Sequence, residues 1–74
     1  MKETTEENRQ RIGRELMAIR LEQGWSQEQV ACMANVKEAT IEKIEKGAFN
    51  VPLDILAKVS DVLGYYLTIK PQEE

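Results

Sequence analysis

Seventy-four residues provide for one small domain with a modest core, which argues against a large substrate cleft. With 42% hydrophobic residues, few aromatics, one cysteine and no histidine, the chain suits a helical bundle filled by Ile, Leu, Val, Met and Ala; it excludes an internal disulfide and leaves a zinc site or a His-based catalytic triad without its ligands or base. The net charge of −3 sits at the ends, −2 over residues 1–8 and −2 over 71–74, so that 9–70 carries +1, a balance that permits phosphate binding without predicting it.

The N-terminal MKETTEENRQ lacks the apolar core of a signal peptide, and no stretch approaches the roughly 20 apolar residues that span a bilayer. A cytoplasmic protein with no membrane partner is the expectation, with residues 1–8 as a flexible acidic tail. From Arg9 to Gln23, Ile12, Leu16 and Ile19 recur on one face of a helix, and Arg9, Arg11, Arg14 and Arg20 are interspersed. Such arginines are ordinarily solvated, with contact to a phosphate backbone as the functional alternative.

Gly24 supplies a helix stop and Ser26 an N-cap for a second helix, Gln27 to Ala34, whose apolar face is Val30, Ala31 and Ala34. Cys32 within it reads as a small buried hydrophobe. Asn35, one of the few non-glycine residues tolerant of a left-handed backbone, ends that helix in a sharp turn. Lys37 to Lys46 reads as a third helix with Val36, Ile41 and Ile44 inward and Gly47 as its stop.

After the loop AFN, Pro52 opens a fourth helix in which Leu53, Leu56, Val59 and Leu63 form the buried stripe, with Asp54 suited to the helix dipole and Gly64 ending it. Tyr65, Tyr66, Leu67, Thr68 and Ile69 then alternate like a strand over 65–70, and 71–74 is a flexible tail. Nothing else in the chain offers that strand a partner, so it is expected to pair with a second copy in a homodimer. The fold expected is all-α: a compact four-helix domain over 9–64 plus one short C-terminal strand.

The segment SQEQVACMANVKEATIEKIEKG, residues 26–47, resembles the helix-turn-helix of the phage-repressor-like (Cro/C1-type, XRE) bacterial regulators. Gln27 stands at the polar residue opening the second helix, Val30 and Ala31 at the leucine-alanine pair, and Asn35 at the usual turn glycine. Ile41, Ile44, Glu45 and Gly47 stand at the end of the recognition helix. With Arg20 upstream and LAKVSDVLG downstream, the resemblance covers about 9–64.

It implies a sequence-specific transcriptional regulator, most simply a repressor, binding double-stranded DNA as a homodimer and needing no cofactor. By the same resemblance Gln27, Lys37, Lys46 and Asn50 would hold DNA phosphates. Glu38, Ala39, Glu42 and Lys43 would read bases, and Arg20 with Glu45 would tie the first helix to the third. Glutamates at 38 and 42 depart from the Gln, Ser or Arg common in relatives and leave the third helix without net charge. The run LGYYLTIKP resembles the C-terminal strand of some helix-turn-helix antitoxins, so a toxin protein is an alternative partner; a module used only for protein interaction is another. No enzymatic activity, catalytic residue or metal ligand is expected.

Overall fold

The computed structural model describes residues 2–69 and Pro71; Met1, Lys70 and residues 72–74 lie outside the described residues. Four helices follow one another: α1 (Thr5–Glu22), α2 (Gln27–Ala34), α3 (Glu38–Glu45) and α4 (Leu53–Val62). Helix α3 packs on both α1 and α2, and α2 also packs on α4. The core is Leu16, Val30, Ala31, Ala34, Ile41, Ile44, Phe49, Leu56, Val59 and Leu63, flanked by Ile12, Ile19, Val36, Val51 and Val62. None of the four helices is long and apolar enough to cross a membrane.

Helix α1 starts ahead of the expected Arg9, because Thr4 and Glu7 form a reciprocal cap. The Thr4 hydroxyl accepts from the Glu7 N–H at 3.1 Å, and Glu7 Oε1 accepts from the Thr4 N–H at 3.0 Å. Residues 5–8, expected in a flexible acidic tail, are therefore the first turn of a helix. The hydrogen bond from the Thr4 backbone N–H, and then that from its hydroxyl, hold the Glu7 carboxyl pKa below its ordinary value.

Helix α2 begins with a second reciprocal cap, Ser26 with Gln29, and ends where Asn35 adopts φ 57° and ψ 47°. The Val36 N–H then returns to the Ala31 carbonyl at 2.9 Å, closing the turn before Lys37 begins α3 as its N-cap.

Two burial expectations change, and one buried residue was not foreseen. Cys32 is exposed, since Val30, Ala31 and Ala34 already define the inward face of α2 and Cys32 follows Ala31 about 100° further round the helix. Leu53 is 70% exposed because it is the first residue of α4, a turn before Leu56 reaches the core. Phe49 lies in the expected loop and is nevertheless buried in the core.

The C-terminal strand is not formed. Among the described residues none is in a β-strand; 65–69 carry no regular secondary structure, and Lys70 lies outside the described residues. A single copy offers no second strand to accept or donate ladder hydrogen bonds, so alternation alone cannot make one. Between this segment and α1 lies a groove of about 720 Å³, with Ile12, Leu16 and Ile19 among its lining residues and Arg11 alongside.

Candidate nucleic-acid interface

Helix α3 carries a buried side and an exposed one. Ile41 and Ile44 are each 1% exposed, whereas Glu38, Ala39, Glu42 and Lys43 are open to solvent. Those four form two adjacent i, i+4 rows, 38–42 and 39–43, which is one face of a helix. Lys37 and Lys46, at its two caps, and Asn50 in the following loop are exposed too. Gln27, the first residue of α2, is half-buried.

The stance of α3 is set from α1. Arg20 donates through Nε to Glu45 Oε2 at 2.6 Å and through Nη2 to Glu45 Oε1 at 2.9 Å, a bidentate pair whose side chains are 10% and 6% exposed. Arg20 Nη1 adds a bond to the Trp25 carbonyl at 2.8 Å. The hydrogen bonds that Arg20 donates to Glu45 raise the guanidinium pKa further, so Arg20 stays charged at every ordinary pH.

Gln27, taken from the resemblance as a phosphate ligand, uses its side-chain Nε2 to donate to Glu45 Oε1 at 3.0 Å. Lys46 and Glu42, assigned to phosphate and to base, meet each other at 2.9 Å. That bond, and then the Lys46 charge, hold the Glu42 carboxyl below its ordinary range. Both side chains are more than half exposed, so DNA phosphate could readily displace this contact.

Of the arginines preceding Arg20, Arg11 is engaged elsewhere. It bonds Glu3, Glu15 and Asn8 and lines the groove beneath 65–69.

Gly13 and Gln10 escaped sequence reasoning. Gly13 is buried where α1 meets the end of α3, and a Cβ there would overlap the Ile44 carbonyl oxygen. At Gly47, with φ 74°, a Cβ would lie 2.8 Å from the Gln10 Cα. The readable signal was a glycine inside an otherwise continuous helical pattern, which marks close backbone approach. Gln23, at the end of α1, donates to the Leu63 carbonyl at 2.7 Å and so ties the ends of α1 and α4 together.

Residues 16–69 match the family described as Helix-turn-helix. The chain is 40% identical over 58 residues to an uncharacterized HTH-type transcriptional regulator of Haemophilus influenzae, covering 78% of this chain and 59% of that protein. Among solved structures it resembles the clp gene regulator ClgR of Corynebacterium glutamicum, with a TM-score of 0.74 and 26% identity over 78% of this chain and 62% of that one. The chain thus spans about three-fifths of the length of the relatives it matches. With a left-handed Asn35 joining a capped α2 to an α3 that exposes one polar face, the chain belongs to the XRE-type helix-turn-helix family of DNA-binding transcriptional regulators.

Proposed function

We propose that this chain is a sequence-specific repressor acting in the cytoplasm, which places one α3 in the major groove of each half of an operator. The observation that carries the reading is the division of α3 into a core face and an exposed face on a helix anchored from α1. Lys43 and Ala39 supply a guanine donor and a thymine-methyl contact, while Glu38 and Glu42 suit cytosine N4. Gln27, Lys37, Lys46 and Asn50 hold phosphates on either side.

Fluorescence anisotropy on DNA from upstream of its own coding sequence tests this. Binding should be tightest at low salt and weaken as salt rises. Lys43→Ala should relax preference at one base position, at about 1–3 kcal/mol for the favoured base. Absence of binding at low salt would leave the interaction-only reading, which the equal numbers of Lys and Glu over 37–46 favour.

Two copies acting together offset the weak charge of a single α3, with half-sites about one helical turn apart. Support for a homodimer comes from the C-terminal segment, where Tyr66 and Ile69 are 93% and 96% exposed. Clusters of exposed apolar residues mark interaction surfaces. Truncation after Gly64 should halve the mass in solution measured by light scattering; equal masses would remove the segment from the interface. A toxin protein on the same surface is the alternative occupant, and co-purification with the product of a neighbouring gene distinguishes it.

A further inference from the structure

The Glu45 carboxylate has three donors on two oxygens. Oε2 takes Arg20 Nε, and Oε1 takes both Arg20 Nη2 and Gln27 Nε2. The acceptor is itself immobilised, bidentate to Arg20 and 6% exposed in its side chain. A glutamine amide carries two N–H groups, so the bond to Glu45 uses one and leaves the other. Gln27 is only half-buried at the start of α2, so part of the residue is open to a ligand at the surface.

We infer that the buried Arg20–Glu45 pair is a positioning device for Gln27, holding its amide in the orientation that presents the second N–H to a DNA phosphate. This rests on the DNA-binding reading above. An unrestrained glutamine would lose its rotamer freedom on binding, whereas here that loss accompanies folding and the contact is preorganised. The same carboxylate belongs to the last residue of α3, whose stance is held also by the close backbone contact at Gly13 and so does not depend on the pair alone.

The test replaces the pair as a unit. Arg20→Met with Glu45→Met removes the anchor but leaves no stranded charge, and apolar replacement of a whole buried pair is commonly tolerated. DNA affinity is then measured with and without Gln27→Ala, at a temperature where circular dichroism shows all four proteins folded. The double Met variant should weaken binding about fivefold when Gln27 is present and less than about twofold when it is alanine. Equal losses in both backgrounds would overturn the inference, because the pair would then act through the stance of α3. No effect of Gln27→Ala in the native background would instead remove Gln27 from the phosphate site.

A measurement without DNA decides the anchoring separately. In the free full-length protein, one Gln27 Nε2 hydrogen should exchange with solvent more slowly than those of Gln29, whose side-chain oxygen is the bonded atom. Exchange at the Gln29 rate would show that Glu45 does not hold Gln27, and would sink the proposal whatever DNA does.

Discussion

Glu45→Ala should lower stability by about 3–5 kcal/mol, the usual result of removing one partner from a buried ion pair. Arg20 would keep its charge, at 10% side-chain exposure, with only the Trp25 carbonyl left among the acceptors it now uses. Gln27 would lose its acceptor as well. For a domain of this size each kcal/mol is worth roughly 4–8 °C, so the midpoint of thermal unfolding should fall by more than about 12 °C. The pH dependence has a definite sign. A raised folded-state pKa means that Arg20 contributes its stabilisation below the unfolded guanidinium value, and this is lost only as pH climbs through the still higher folded value. The deficit of the variant attributable to Arg20 should therefore be flat across the neutral range. The paired change to methionine should recover most of the loss. A single substitution costing under about 1 kcal/mol would show that the pair is solvated and weak, as exposed pairs are.

What could be read from the sequence divides along physical lines. Signals held within a few residues survived. Ser26 as an N-cap, Asn35 in place of a glycine and the spacing of Ile41 and Ile44 each act within one or two turns, and they located α2, the turn and α3. The cap formed by Thr4 and Glu7 is just as local and was legible, but the acidity of residues 1–8 obscured it. Signals that depend on the rest of the fold were less secure. Alternation over 65–69 records side chains able to line a strand, yet a strand exists only where another backbone completes the ladder, and one copy does not provide it. Phe49 sits in a loop that folds back over the core, so no helical period announces its burial. At the candidate interface, the resemblance named Arg20 and Glu45 as a pair and Gln27 apart from them, as a phosphate ligand. That all three meet on one carboxylate depends on how α1, α2 and α3 cross, a distance of 18 residues or more in sequence.

Gly13→Ala tests that crossing most directly, because intrinsic helix preference and tertiary packing predict opposite signs. In an exposed helix the substitution would stabilise by about 1 kcal/mol. Here the new methyl would overlap the Ile44 carbonyl oxygen and lie 3.1 Å from that of Glu45. Both obstacles are backbone at the end of α3, which cannot swing aside like the tip of a long side chain, so α1 and α3 would have to separate. Separation would loosen the packing of Leu16 against the core and lengthen the bonds between Arg20 and Glu45. Overpacking of this kind costs about 1–3 kcal/mol and sometimes more, enough to reverse the gain in helix preference. Thermal unfolding should show a net loss of roughly 2 kcal/mol or more, together with weaker DNA binding at temperatures where the variant is still folded. Gly24→Ala is the comparison: it meets nothing within 4 Å and bears only the strain of φ 79°, about 1–2 kcal/mol. If Gly13→Ala proved neutral or stabilising, α1 and α3 would not be in close backbone contact. The anchoring of the reading helix from α1 would then have to rest on the Arg20–Glu45 pair alone.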